Sequence, residues 1–434
     1  MVNIKLEKLF LMIAIPLGIL YIILILPNFK PDEDQHAWRA YDVSQGNLIS
    51  GEISYPLDYW TYGTLEMTNY QQYKKALKAK TDYNNIVSST SAAGRYYFMN
   101  YIPAALGIVV ARMLGLNITI ANILSRTMNY LLFLLFGYSA IRIMTKGKFI
   151  MFVYLLNPMV LYMASAISAD SLINSFSMLF IAYALELMDN KKTVTVKQFV
   201  ILLCLLWIPV RGKIVYFPLI LLLFPILYNN IYQKYSCRRF RDFIKKHRVK
   251  IVLAILGIGS ISYFLGKMLL INYLPNALVI VLFHPLVFGK YLVNTMQMYG
   301  KMYITSFSGG WLNWFSLENG TGSAELYLLM LFFSPFLCKE DGYEFRQRVL
   351  YFVMGVGMAL GIFVASFVGW NDWNSNVIMG VQGRYHIPFI ILLVLSMLNK
   401  NIKFHNRKYR DCVYSILLIL VNLVTLWVNI KYFV

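Results

Sequence analysis

Long apolar blocks separated by polar segments dominate this chain. The blocks run approximately over 8–27, 98–115, 119–144, 149–166, 171–188, 197–211, 213–230, 250–271, 324–338, 347–368, 385–399 and 412–430. A helix needs about 20 apolar residues to cross the hydrocarbon core of a bilayer, and blocks of this kind are long enough. The pattern therefore predicts an all-α polytopic membrane protein, formed as a single integral membrane domain over 1–434.

The polar segments between the blocks predict the orientation. Five of them are strongly basic and should be cytoplasmic, namely 142–148, 191–197, 234–250, 339–348 and 400–410. If 98–115 were a full span, the basic turn 142–148 would lie outside. We therefore predict that 98–115 is an interfacial or re-entrant helix, that eleven blocks span the membrane, that the amino terminus is cytoplasmic, and that the carboxyl terminus is outside.

Two long segments then face outward, 28–118 and 272–323. In the first, Trp38, Tyr41 and Val43 recur near helical spacing among charged residues, which predicts an amphipathic helix at the membrane surface. The polar stretch 71–80 predicts a second short surface helix.

Composition and charge narrow the class further. The chain is 59% apolar and 14% charged, with a formal net charge of +20. Because the charges fall between apolar blocks, we interpret them by the positive-inside rule and by attraction to anionic lipids, and not as a nucleic-acid surface. The four cysteines form no C-x-x-C pair. The sequence has no P-loop, dinucleotide fingerprint, H-E-x-x-H or G-x-S-x-G motif, so ATP, NAD, zinc-protease and serine-hydrolase functions have no support.

An acidic tract directly follows the first block. Asp32, Glu33 and Asp34 stand beside His36, with Arg39 close behind. Any one of these acids alone is best explained as a helix N-cap. Three acids with an imidazole on one short outward segment favour an enzyme that takes a proton from a substrate hydroxyl at the membrane surface.

Asp170 is a second candidate, in a turn of small residues over 164–171. A capping role and an active-site role are equally compatible with this position.

Cations on the predicted outward side form a third set of candidates. Arg126 is the sharpest case because it lies inside an apolar block, where a charge costs about 2.5–3.5 kcal/mol at mid-helix. We interpret Arg126, Arg211 and Arg384 as ligand contacts, and Lys290 and Lys301 as snorkelling side chains.

Several short motifs occur in order along the chain, namely Pro31 to Tyr41, Gln45 to Leu48, Tyr101 to Gly107, Ser125-Arg126, Ser168 to Asp170, Gly310 to Leu312, and Val381 to Tyr385. Together they resemble a family of bacterial multi-pass proteins of unassigned function that is similar to the GT-C glycosyltransferases. The resemblance implies a GT-C-like bundle with essential acids in the first and second outward loops, which match Asp32 or Glu33 and Asp170. It also implies a polyprenyl-phosphate-linked sugar donor used on the outer face. Asp34 and Asn313 depart from the family pattern, where Pro and Asp are expected.

The sequence therefore predicts a cell-membrane glycosyltransferase with an extracellular active site. Asp32 or Glu33 is the expected base, Asp170 orients the acceptor or a divalent metal ion, and Lys213 joins Arg126, Arg211 and Arg384 in holding the lipid phosphate. Further expected substrate contacts are Asp34, His36, Arg39, Trp311, Gln382 and Tyr385. A glycan, a teichoic acid or a protein is the expected acceptor. The alternatives are a transporter or flippase of lipid-linked sugars and a non-catalytic subunit of envelope polysaccharide assembly.

Overall fold

A computed structural model of the chain describes most of the sequence. The described residues are 4–49, 51–59, 69–189, 193–228, 276–313, 315–338, 342–371, 375–399 and 407–434. The predicted span 250–271 and the basic segment 234–250 lie outside them, as do parts of the basic segments 191–197, 339–348 and 400–410.

Helices make up nearly all of the described architecture. The α-helices are α1 (Leu6–Ile23), α2 (Glu33–Ser44), α3 (Tyr70–Ala76), α4 (Ile102–Met113), α5 (Ile118–Ile143), α6 (Lys148–Leu155), α7 (Pro158–Ala164), α8 (Ala169–Asp189), α9 (Val196–Gly212), α10 (Asn276–Phe283), α11 (Pro285–Ser306), α12 (Ser323–Phe333), α13 (Phe345–Trp370), α14 (Ile390–Ser396) and α15 (Arg407–Phe433). The 3-10 helices are Ala92–Arg95, Phe98–Tyr101, Ile214–Leu222, Ser334–Leu337 and Gly383–His386. The strands are β1 (Glu52–Pro56), β2 (Ile86–Thr90), β3 (Trp311–Leu312) and β4 (Leu317–Glu318), paired antiparallel as β1–β2 and β3–β4.

Five helices in the described part of the chain are long and apolar enough to cross a membrane, namely α1, α5, α8, α13 and residues Tyr409–Phe433 of α15. A sixth exists if α10 and α11, which meet at a bend of 102°, form one span. The predicted helical, multi-pass character is thus confirmed, but the count of eleven is not shown. The predicted outward loop 272–323 contains α10 and α11, so it is largely helical where it is described.

The predicted span 149–166 is interrupted. Helix α6 ends at Leu155 and α7 begins at Pro158, a residue that occupies the first helical position, where a missing N–H is tolerated. The Asn157 side chain accepts a hydrogen bond from the backbone N–H of Met159 at 2.8 Å and so caps the second segment. Every residue from Phe149 to Ala164 is buried, so this broken segment forms the centre of the bundle.

Helix α4, within the block 98–115, has 12 residues and is too short to span a bilayer. It packs against the first half of α5 in a close backbone contact at Gly107. A Cβ added there would lie 2.5 Å from the backbone nitrogen of Ser125. Only glycine allows the two helices to approach this closely.

The amphipathic surface helix predicted in the first long loop is present as α2, but it is buried. Residues His36 to Val43 are all shielded from solvent. Trp38 stacks on Tyr55 of β1, with ring centroids 4.5 Å apart and an interplanar angle of 7°. The strands β1 and β2, which the sequence pattern did not predict, supply this cover. The short helix expected over 71–80 corresponds to α3.

Candidate functional site

Two carboxylates and two cations meet where α2 and α8 begin. The Arg384 guanidinium lies 2.5 Å from an oxygen of Asp32, and the Lys213 ammonium lies 2.5 Å from an oxygen of Asp170. Arg384 also lies 3.8 Å from the other oxygen of Asp170, so it bridges the two acids. We call these four residues the acid–cation centre. The structure therefore brings together four residues that the sequence singled out in four separate segments.

The backbone presents Asp32 in an uncommon conformation. Its φ of 61° lies in the left-handed region, which a non-glycine residue rarely adopts. The side chain makes no capping bond to α2 although it stands at the N-cap position, and it turns to Arg384 instead. The Asp32 side chain is 27% exposed, whereas that of Arg384 is 3% exposed. Asp32 is therefore the accessible acid of the centre.

Glycines allow both cations to reach their places. A Cβ added at Gly383 would lie 2.1 Å from the backbone nitrogen of Phe307, so the turn that carries Arg384 can contact the end of α11 only with glycine there. The Gly383 N–H donates to the Ser306 hydroxyl at 3.0 Å. A Cβ at Gly212 would lie 2.5 Å from the Ile173 side chain, so the end of α9 can approach α8 and place Lys213 on Asp170.

Aromatic and amide side chains surround the centre. The Lys213 ammonium lies 4.2 Å from the Tyr385 ring centroid, and the Arg384 guanidinium lies 5.1 Å from it. Gln382 accepts a hydrogen bond from Arg384 Nε at 2.5 Å. Trp311, Gln382 and Arg384 line the same small pocket. Three further residues predicted as substrate contacts thus lie around the acid–cation centre.

Burial would lower the pKa of Lys213, but the Asp170 carboxylate outweighs this effect and raises it. Lys213 therefore remains a cation at neutral pH. The Asp170 side chain is only 6% exposed and has a cation beside each of its oxygens, so it is poorly placed to deprotonate a substrate. It is well placed to orient the two cations.

Glu33 and Arg126 form a separate buried clamp, and their predicted roles need correction. Arg126 donates Nε to one Glu33 oxygen at 2.8 Å and Nη2 to the other at 2.5 Å. Its remaining N–H groups donate to the backbone carbonyls of Ile22, Ile25 and Leu26 at 2.6–3.1 Å. All five guanidinium donors are used, so Arg126 has none left for a phosphate.

Glu33 is saturated in the same way. Its two oxygens also accept the backbone N–H groups of Asn28 and Ile167, each at 3.0 Å. Burial would raise the pKa of Glu33, but the Arg126 guanidinium lowers it below its ordinary value. A carboxylate with a low pKa and no free lone pair is a poor base. The geometry therefore favours Asp32 over Glu33 as the base and gives Glu33 and Arg126 a structural part.

Lys30 also belongs to the surroundings of the site, although it was not among the predicted residues. Its ammonium donates to the backbone carbonyl of Ser165, and to the Ser165 hydroxyl at 2.8 Å, and it is fully buried. Burial lowers the pKa of Lys30. This contact ties the segment that carries Asp32 to the turn that precedes Asp170. A lysine directly after the predicted outward end of the first span breaks the positive-inside rule, so the sequence contained a signal for it.

Two predicted contacts lie away from the acid–cation centre. Arg39 pairs with Asp42 at 2.5 Å, both 1% exposed, and donates to the Asn47 carbonyl at 3.1 Å, which ties α2 to the segment before β1. Arg211 is exposed and lies 5.1 Å from the Tyr97 ring centroid. Neither residue contacts the two acids, so we withdraw the predicted substrate contact of Arg39 and the predicted phosphate contact of Arg211.

His36 and Asp34 flank the centre. His36 Nδ1 lies 2.7 Å from the Tyr101 hydroxyl, and the imidazole is 5% exposed. Burial lowers the pKa of His36 to about 4; Asp32 and Asp170 oppose this shift, and Arg384 and Lys213 reinforce it. Burial raises the pKa of Asp34. His36 is therefore neutral at pH 7.

We expect the neutral state of His36 to make stability depend on pH. The imidazole binds a proton near pH 6.5 in the unfolded chain and near pH 4 in the folded one, so the unfolded state binds more protons between these values. The free energy of unfolding should therefore fall by up to about 1 kcal/mol per pH unit as the pH falls from about 6.5 towards 4. Melting curves of the purified wild-type protein and of His36→Gln, recorded across this pH range, measure the pH dependence of stability. The prediction fails if both proteins show the same pH dependence.

A cavity of about 290 Å³ opens beside Lys213, Tyr385 and Tyr96. Its other wall consists of the 3-10 helix Ile214–Leu222 and the end of α13, and is mainly apolar. The lining therefore combines a cation and two aromatic rings beside the acid–cation centre with apolar residues from the 3-10 helix Ile214–Leu222 and from α13.

A divalent metal ion fits this centre poorly. The two carboxylates are already neutralised by a guanidinium and an ammonium. Within the described ranges, no three side chains of His, Cys, Asp or Glu come together in a way that could hold a metal ion. Asn313 lines the small pocket beside Arg384 but adds only a neutral amide.

One comparison with known proteins gives a match. The family model described as "Predicted membrane protein (DUF2142)" matches residues 16–393, which include the whole acid–cation centre. No curated protein matches the chain. No solved structure matches it either.

Proposed function

The chain belongs to the DUF2142 family of predicted membrane proteins, and we propose that it is a glycosyltransferase that uses a polyprenyl-phosphate-linked sugar. The observation that carries this proposal is the partly exposed Asp32 carboxylate beside the buried Arg384, with Asp170 and Lys213 completing the centre. One accessible acid next to two fixed cations suits the transfer of a sugar away from a phosphate.

The chemistry assigns one task to each group. Asp32 takes the proton of an acceptor hydroxyl, and the hydroxyl oxygen forms a bond to the anomeric carbon of the sugar. The bond between that carbon and the phosphate oxygen breaks, and the electron pair stays on the phosphate. Lys213 contacts this charge. Arg384, four of whose five N–H donors bind Gln382, Pro31, Asp32 and Tyr385, adds positive potential beside it. Cations held in place before the reaction cost no reorganisation when charge develops. Asp170 positions Lys213.

The cavity beside Lys213 supports a lipid-linked donor. Its lining offers an ammonium and two aromatic rings, which suit a phosphate and a sugar face. The lining also includes apolar residues such as Ile214, Val215 and Ile362, which suit an isoprenoid chain. A soluble nucleotide sugar has no lipid chain that could bind to these apolar residues.

The finer features of the fold are also part of the proposal. We propose a GT-C-like bundle of about eleven spans, with the amino terminus in the cytoplasm and the acid–cation centre on the extracellular face. The acceptor belongs to the cell envelope and is a glycan, a teichoic acid or a protein. The basic turn 142–148 supports this orientation. It lies at the carboxyl end of α5 and the start of α6, whereas Arg126 lies in the first half of α5.

Lys213 and Arg211 provide a matched pair of tests. We expect Lys213→Met to lower kcat/KM for the lipid-linked donor by about 100-fold, since it removes one fixed cation from the departing phosphate. Arg211→Gln, which removes a neighbouring charge that does not contact the acids, should change it by less than about threefold. Initial rates measured with both variants give the two values of kcat/KM. Equal losses would count against the assignment of Lys213.

The function itself is tested with purified protein in proteoliposomes that contain a polyprenyl-phosphate sugar. We expect the sugar to leave the lipid and polyprenyl phosphate to accumulate when a suitable acceptor is present. Movement of the intact donor across the bilayer without loss of its sugar would instead establish a flippase and overturn the proposal. A panel of glycan, teichoic-acid and peptide acceptors identifies the second substrate.

A further inference from the structure

A second charged cavity lies at the end of the bundle opposite the acid–cation centre. Its volume is about 660 Å³, and its charged lining residues are Lys5, Glu7, Arg142, Lys148, Arg410 and Asp411. Helix α1 begins at this cavity and leads to the segment that carries Asp32. Its 18 residues rise about 27 Å, which is close to the thickness of a hydrocarbon core. The two sites therefore lie at opposite headgroup regions. We call this second site the basal cavity.

Apart from Glu7, which lines the basal cavity, the acids at or near it have partners. Asp411 pairs with Arg410 at 2.8 Å, and Asp189 pairs with Lys146 at 2.8 Å. Glu186 accepts hydrogen bonds from the backbone N–H and the hydroxyl of Thr145 at 3.0 and 2.9 Å. Three lining cations therefore keep no carboxylate partner among the described residues, namely Lys5, Arg142 and Lys148.

Two helix termini add to this positive potential. Helix α1 begins after Lys5 and α6 begins after Gly147, and neither N-cap residue makes a side-chain capping bond. The first backbone N–H groups of each helix are thus uncapped, and the helix dipoles place positive potential at the cavity. Cationic side chains and two helix amino termini converge on one space, which is the arrangement that binds phosphate.

We propose that the basal cavity binds the phosphate headgroup of an anionic phospholipid in the leaflet opposite the acid–cation centre. Lys5, Arg142 and Lys148 neutralise the phosphate. Glu7, which is 6% exposed and lines the same cavity, accepts a hydrogen bond from a headgroup hydroxyl such as that of phosphatidylglycerol. Ile4, Leu6 and Met144 supply an apolar margin for the glycerol and the start of the acyl chains.

The proposal is tested by melting curves of delipidated full-length protein in detergent with added phosphatidylglycerol or phosphatidylcholine. We expect phosphatidylglycerol to raise the melting temperature by about 4 °C and phosphatidylcholine to leave it unchanged. The double variant Arg142→Gln/Lys148→Gln should lose this increase. A control, Lys197→Gln/Arg346→Gln, removes the same charge from exposed positions outside the cavity lining and should keep it.

Each outcome decides the proposal. An increase that is the same in the cavity variant and in the wild type would overturn it. Inorganic phosphate alone should have no effect, and an equal, cavity-dependent increase with it would assign the site to a soluble phosphate compound. If the double variant does not fold, Lys5→Gln serves instead, because Lys5 is exposed and precedes α1. It should reduce the increase measured with phosphatidylglycerol by about half, and no reduction would overturn the proposal.

Discussion

Replacing Asp32 by Asn should lower the rate of sugar transfer by about 1000-fold and leave the protein folded. The substitution removes the base but keeps an oxygen that accepts the hydrogen bond from Arg384. Asp170, 3.8 Å from Arg384, remains as a carboxylate partner for the buried guanidinium, so the loss of the Asp32 charge should cost less stability than breaking the Glu33–Arg126 pair. Transfer rates of purified variant and wild type, together with their melting temperatures, measure both effects.

The neighbouring acid provides the control for this experiment. Asp34 belongs to the same tract and is partly buried, but it forms no ion pair among the described residues. Asp34→Asn should therefore reduce transfer by less than about tenfold. If Asp32→Asn is fully active while Asp34→Asn is inactive, the assignment of the base is wrong.

Breaking the buried Glu33–Arg126 clamp should mainly lower stability, whereas Asp32→Asn should mainly lower the rate of transfer. Glu33→Gln replaces one acceptor oxygen by an NH₂ group that faces donors, and it leaves the Arg126 guanidinium buried without a charge partner. Removing one partner of a buried ion pair costs about 3–5 kcal/mol. We expect Glu33→Gln and Arg126→Gln to lower the free energy of unfolding by about this amount, measured by chemical denaturation in detergent micelles.

A partly exposed ion pair is the matched comparison. Lys146 and Asp189 lie 2.8 Å apart, and their side chains are 25% and 14% exposed. Lys146→Gln should cost no more than about 1 kcal/mol, because solvent screens this pair. Equal losses for Lys146→Gln and Glu33→Gln would show that burial gives the Glu33–Arg126 pair no greater effect on stability than a partly exposed pair has.

The sequence singled out all four residues of the acid–cation centre, but it left Asp32 and Glu33 as alternatives for the base. Asp32, Asp170, Lys213 and Arg384 stood out because charges are rare beside apolar blocks. Whether Asp32 or Glu33 is accessible depends on side-chain direction. That direction follows from the left-handed backbone at Asp32 and from Arg126, which lies 93 positions beyond Glu33. No local pattern reports such a long-range pairing.

The fold was predictable where periodicity and length agree. Blocks such as 119–144 and 347–368 became long helices because nothing inside them interrupts the backbone hydrogen bonds. Block 149–166 did not, since Asn157-Pro158 starts a new helix within it. Strands β1 and β2 were missed because β2 is a polar stretch of alternating exposure, which carries little hydrophobic signal.

The central claim is that the bond between sugar and phosphate is the one that breaks. A donor labelled separately in its sugar and in its phosphate, supplied to the purified protein with an acceptor, tests this most directly. We predict that the sugar label moves to the acceptor and that the phosphate label stays with the lipid. Transfer of both labels together, or retention of both on the lipid while the acid–cation centre is intact, would contradict the account.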